Sequence, residues 1–176
     1  SSDVCSSDLG KLRWHTTFSN ISYPVITGTP LRFEVAKLCR FVKISSDSNY
    51  IHLREIQVYD HENKLISKGA KVFQNSTYNS SFVAQKTVDG KLNTMNHTMK
   101  GSKAKPAYVI VDLGQGVLVS KVVLYNRTNC CDERIAGAKI ALLDNKKKEI
   151  LSQVWDKKGI MKKSIDRSEE HTSELQ

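Results

Sequence analysis

YVIVDLGQGVLVSKVVLYNRTNCCDERIAGAKIALLD, residues 108–144, is the stretch on which the fold is decided. Tyr108 to Leu113 and Lys121 to Tyr125 are short, nearly continuous apolar runs rich in β-branched residues, which is the pattern of buried strands. Gly114–Gly116 between them reads as a turn. Working outward, Ala138 to Leu143 and Ile150 to Trp155 are two further strands around a turn at Asp144–Lys148. Upstream, Arg40 to Ile44 alternates, and Leu53 to Tyr59 alternates with Ile56 and Val58 on one face. Turns fall at Asp60–Lys64 and Asp89–Gly90, and no long segment has a helical period. Many short strands at this spacing predict an all-β fold, an antiparallel β-sandwich or jelly roll.

The ends of the sequence read differently. SSDVCSSDL (1–9) and RSEEHTSELQ (167–176) back-translate to opposite strands of one oligonucleotide, a common sequencing adapter. Both are read as adapter read-through, and the sequence as a metagenomic fragment. Residues 10–38, with Pro24, Gly28 and Pro30, are expected to be a linker or the end of an upstream module, although Leu12–Trp14 and Arg32–Val35 have strand character. Residues 39–160 are expected to form the domain. The net charge of +9 is carried by the body, since the two ends are acidic. So basic a surface favours anionic partners. No apolar run approaches the roughly 18 residues needed for a membrane span. With Cys5 set aside, Cys39 and the adjacent Cys130 and Cys131 do not make a disulfide framework of the small secreted kind.

The densest chemistry lies in NRTNCCDERIAG, Asn126 to Gly137, a rim loop directly after a buried strand. A bond between Cys130 and Cys131 would close a small strained ring, a flat apolar knob flanked by the guanidinium forks of Arg127 and Arg134. Two reduced cysteines, with the arginines paired to Asp132 or Glu133, are the other reading. Zinc is not expected, since structural sites separate their thiols by about two to four residues and His97 would be one ligand at most. His97 lies in a polar loop, NTMNHTMK. Asp89 sits in the turn TVDG, where its carboxylate could join a calcium site, although Lys86 and Lys91 beside it favour an ordinary Asp-Gly turn. There is no Gly-rich phosphate loop, nucleophile elbow or HExxH run, so the chain is not expected to be an enzyme.

Residues 39–155 resemble the discoidin or coagulation-factor type C domain, a galactose-binding-like jelly roll. The pieces that carry this are SKGAKVFQNSTY, FVAQKTVDGKLNT, NHT, AYVIVDLGQGVLVSKVVLYNR and RIAGAKIALLD. The loop RTNCCDER is most similar to the binding loop of fucolectins, the F-type lectins. That resemblance implies a carbohydrate-binding module for a fucose- or galactose-type glycan. His97, Arg127, Asn129 and Arg134 would lie at the sugar, with a vicinal disulfide of Cys130 and Cys131 against its ring and a structural calcium near Asp89. The pattern departs at Asn129, where the motif has Asp, at Tyr108–Val109, where a Trp pair is usual, and at Lys91, where Asn is common. CRFVKI and LREIQVYD resemble closing strands yet come first, which implies a circular permutation or the end of a preceding copy. Glycans are the partners implied, with no specific nucleic acid. The setting implied is a larger multidomain protein at an extracellular, cell or virion surface. A basic module for anionic polymers or membrane surfaces, and a structural appendage without a ligand, are the alternatives. Asn20, Asn75, Asn79, Asn96 and Asn126 stand in N-x-S/T acceptors, and glycans on Asn96 and Asn126 would crowd the site.

Overall fold

A computed structural model describes residues 31–155 and 161–163. The two ends read as adapter sequence, and Leu12–Trp14, lie outside the described residues. Seven strands form the framework of what is described: β1 (Leu31–Ser46), β2 (Leu53–Asp60), β3 (Lys71–Gln74), β4 (Ala107–Asn126), β5 (Lys139–Leu143), β6 (Glu149–Trp155) and β7 (Met161–Lys163). Among the described residues there is no α-helix, and two 3-10 turns, Ala84–Thr87 and Asp132–Ile135, interrupt the loops. Every pairing is antiparallel, in the order β2-β4-β1-β5-β6-β7, with β3 also on β4.

The sequence placed two strands and a turn at residues 108–125, whereas the structure carries the chain through as one 20-residue strand. The physical reason is a corner inside the ladder. Phe41–Ser46 of β1 pair with Ala107–Asp112, and Leu31–Cys39 pair with Val117–Leu124, with register shifts between. Gly114, in the left-handed region at φ 84°, takes the bend. Arg40 and Asp112 brace it through a bidentate ion pair of 2.8 and 3.0 Å. Beyond the corner β4 changes its outer neighbour from β3 to β2.

Bending brings two apolar faces together. Val42, Ile44, Val109, Val111, Ile140 and Leu142 from one arm share a single core with Ile56, Val58, Val122 and Leu124 from the other. This is the antiparallel sandwich of the sequence reading. Truncating one of the fully buried Ile or Leu residues costs about 2–5 kcal/mol. The pairing also takes in Leu31–Leu38, and it puts β1 and β2 in the same sheet as β4. At the rim, Leu53 at the start of β2 faces Asn126 at the end of β4, so the loops that leave these points meet.

Candidate functional site

The floor of the rim is a second, short lattice between two loops. Thr98 donates its N–H to Ile51 O (3.0 Å) and accepts the Ile51 N–H on its hydroxyl (2.9 Å). Asn96 treats Leu53 in the same way, at 3.0 and 2.7 Å, and Gly101 N–H reaches Asn49 O at 2.9 Å. The approach at Gly101 requires glycine, because a Cβ there would overlap Ser46 O and the Ala107 amide. Asn96 is fully buried and its amide also donates to Gln74, so this acceptor is occupied as structure.

Between these rungs sits His97. The lone loop histidine of the sequence is buried, at 5% exposure. Its main chain is gripped from the other side, with Tyr78 N–H on His97 O (2.9 Å) and His97 N–H on Phe82 O (3.3 Å). Four rings surround its imidazole, with centroids at 4.8 Å (Tyr78), 5.2 Å (Tyr50), 5.3 Å (His52) and 5.6 Å (Phe82). Nδ1 lies 2.7 Å from Thr98 O, which only accepts, so Nδ1 carries the hydrogen and Nε2 presents a lone pair. Burial lowers the affinity of His97 for a proton, and the charges of Arg127 and Arg134 lower it further, against the Thr98 hydrogen bond. The ring is therefore neutral at pH 7. Behind it His52 is fully buried, neither ring nitrogen has a hydrogen-bond partner, and burial pushes its pKa down to about 3.

Arg127 follows the last residue of β4. Its main-chain N–H donates to Asn126 Oδ1 and its Nε donates to Asn129 Oδ1, both at 2.8 Å. Asn129 thus orients the guanidinium without a negative charge. The chain then turns at Cys131, at φ 62°, into the 3-10 turn that carries Arg134. Asn126 Nδ2 closes the loop on Asp132 O at 2.7 Å. Arg134 lies with its Cζ 4.8 Å above the Tyr50 ring. Arg134 and His97 thus share the Tyr50 ring, and the charges of both arginines reach His97 and His52.

The expected disulfide is not formed. Cys130 and Cys131 are free thiols with Sγ atoms 2.7 Å apart, beyond the roughly 2.05 Å of a bond. The Cys130 thiol raises the pKa of Cys131 by hydrogen bonding.

Asp89 stands apart from these residues in its turn. Its carboxylate accepts the Lys91 N–H (2.9 Å) and the Thr94 hydroxyl (2.9 Å). It has a partner the sequence did not give, Glu55 of β2. Alternation would turn Glu55 outward, but the register shifts between Leu53 and Glu55 and the side chain is buried. Glu55 Oε1 accepts Gly90 N–H at 3.1 Å and Oε2 has no hydrogen-bond partner. Burial first, and then the charge of Asp89, raise its pKa to about 7. The donor chemistry suits a hard cation, in that one buried oxygen of Glu55 is unsatisfied and Glu55 feels the charge of Asp89, against that of Lys68. Among the described residues no three His, Cys, Asp or Glu side chains gather around a metal position, so main-chain oxygens would have to complete it.

Tyr50, His52, Tyr78 and Phe82 are the other site residues that sequence reasoning missed. They come from segments distant in sequence from the arginine loop: the pairing of 49–53 with 96–101 brings in Tyr50 and His52, and the main-chain bonds of His97 to Tyr78 and Phe82 bring in the other two.

A family model described as F5/F8 type C, NedA-like, galactose-binding domain matches residues 86–172. No curated protein and no solved structure matches the chain.

Proposed function

We propose, from the match of residues 86–172 to the model of F5/F8 type C, NedA-like, galactose-binding domains, that this chain is a non-catalytic lectin-like module for a fucose- or galactose-type glycan. The observation that carries the reading is the donor and acceptor set at His97. A neutral imidazole with Nε2 as acceptor stands in the neighbourhood of two guanidinium donors, one oriented by Asn129 and one laid on Tyr50. A sugar hydroxyl is both donor and acceptor, so it satisfies such a set at once. Its proton goes to Nε2 and its lone pairs take N–H groups of Arg127 and Arg134, each charge-assisted bond worth about 1.5–3 kcal/mol.

The apolar complement is also present. Tyr78 exposes more than half of its surface beside His97 and offers a ring face to the C–H side of a sugar. Cys130 and Cys131, between the two arginines in the chain, would add apolar surface, and an oxidised pair would stiffen their loop. Glu55 and Asp89 would hold a structural calcium, which would replace the proton on Glu55 and tie the Asp89 turn to β2. A single shallow site binds weakly, so such a module works by repetition within a larger multidomain protein at an extracellular, cell or virion surface.

The test is a glycan array with the purified chain at two ionic strengths. Retention of fucosylated or galactosylated glycans, little changed between about 50 and 200 mM salt, supports a neutral-sugar lectin. The basic surface gives a second reading. Lys43 stacks on Tyr108 at 4.7 Å and Lys147 on Phe41 at 5.5 Å, so this side of the sheet carries cations over rings. Binding confined to sulfated or uronic polymers, falling steeply with salt, would favour an anionic-polymer module instead.

A further inference from the structure

Tyr50 lies between β1 and β2, outside the matched segment 86–172, and neither spacing nor family resemblance points to it. Three observations meet at its ring. Its edge is packed against the imidazole of His97, at 5.2 Å and 70° between planes. Its face carries the guanidinium of Arg134, at 4.8 Å. Its main chain sits between anchored neighbours, with Asn49 O taking Gly101 N–H and Ile51 bonded to Thr98 through both N–H and C=O. The ring is therefore a fixed object, while Arg134 belongs to a four-residue 3-10 turn at the rim.

We propose that Tyr50 is the positioning residue of the sugar site: it fixes the plane of Arg134 beside His97 and thereby sets which hydroxyl pair the site accepts. This rests on the lectin reading. A guanidinium held over a ring has that side covered, so its N–H donors face away from the ring. Its fork donates to two oxygens side by side, so the ligand class is a sugar with adjacent hydroxyl or ring oxygens near the His97 acceptor. An arginine held in this way loses less rotamer freedom on binding than one that must be ordered by the ligand. Tyr50 acts through Arg134 and makes no demand on the ligand itself.

The experiment is a double-mutant cycle with a ligand-free arm. Tyr50→Leu, Tyr50→Phe, Arg134→Ala and the Tyr50→Leu/Arg134→Ala pair are compared for thermal midpoint and for binding to fucose and galactose by calorimetry. Tyr50→Leu is expected to weaken binding about tenfold and Tyr50→Phe no more than about twofold, because the ring face is what matters. In the Arg134→Ala background the Tyr50→Leu change is expected to add nothing, since its effect runs through the missing guanidinium. Additive losses, or wild-type binding by Tyr50→Leu, would overturn the proposal. The ligand-free arm follows the side-chain Nε–H resonance of Arg134 by NMR. In wild type and Tyr50→Phe it is expected to show the ring-current displacement of a stacked guanidinium, and in Tyr50→Leu to lose it. An unmoved resonance in Tyr50→Leu refutes the positioning role whether or not any sugar binds. A moved resonance in a protein that binds no sugar keeps the stack and refutes the lectin reading alone.

Discussion

The two sides of the rim are built in opposite ways. The imidazole side, residues 49–53 against 96–101, is laced by five hydrogen bonds to main-chain groups, and its side chains Ile51, His52, Leu53, Asn96, His97 and Thr98 are all buried. The guanidinium side, residues 127–134, is held by Asn126, an Asn129 contact, the Arg134–Tyr50 contact and a single 3-10 turn, with Cys130 and Glu133 exposed. The difference teaches that the acceptor of the site belongs to the folded core, whereas its donors are mounted on an adjustable loop. Changes on the first side, Tyr50 apart because it acts through Arg134, should therefore show up as stability, and changes on the second as affinity.

The largest expected effect lies in acid, on the imidazole side. His52 has a folded pKa of about 3 against an ordinary 6.5, so the unfolded chain takes up its proton first. Its contribution is complete above pH 6.5 and is lost as pH falls toward 3, in total about 4–5 kcal/mol. Glu55 works in the reverse direction. Its folded pKa of about 7 exceeds 4.5, so its contribution is complete below pH 4.5 and is lost as pH rises through 7, by about 2–3 kcal/mol. Between pH 4.5 and 6.5 the two slopes oppose each other. Urea unfolding across pH should show a shoulder there, a steep loss below pH 4.5 and a smaller one toward pH 8. His52→Phe should flatten the acid limb, and an unchanged limb would break the comparison.

Next in size, a methyl group at Gly101 is expected to cost about 3 kcal/mol, because backbone atoms of Ser46 and Ala107 occupy the space. Gly137→Ala, on the loop side, meets no atom within 4 Å, and its cost is only the left-handed backbone at φ 79°, about 1 kcal/mol. Equal losses in chemical denaturation would remove the contrast between the two sides.

Binding should respond in the opposite sense. Arg127→Ala and Arg134→Ala are each expected to weaken sugar binding at least tenfold, about 1.4 kcal/mol or more, with stability within about 0.5 kcal/mol of wild type. Arg127→Lys should fail as well, because a point charge cannot take Asn129 and a hydroxyl in one plane. Calorimetry beside thermal melts checks both halves of the claim.

The smallest effect concerns calcium. At pH 8, where Glu55 is ionised, millimolar calcium is expected to add about 1 kcal/mol, and less at pH 6, where a proton competes. Glu55→Gln should abolish the increment in differential scanning calorimetry. Equal stabilisation at both pH values would show that the cation sits elsewhere.

Strand positions were legible because β-branched content and side-chain alternation are local properties: the 108–113 and 121–125 runs and Leu53–Tyr59 fall within strands, and all of Ala138–Leu143 but its first residue does. The arginine and cysteine loop was legible for the same reason, since its residues are neighbours in the chain. Tertiary structure alone decided the rest. It carried β4 around a corner where the sequence shows only a glycine turn, because pairing with β1 continues on both sides of it. It turned Glu55 inward through a register shift that no alternation announces. It buried His97 in a loop of polar residues and surrounded it with Tyr50, His52, Tyr78 and Phe82. The segments so joined are far apart in sequence, by 47 residues in the Ile51–Thr98 bond alone. Their strength depends on closure of the sheet around both segments, and local propensity carries no record of that closure.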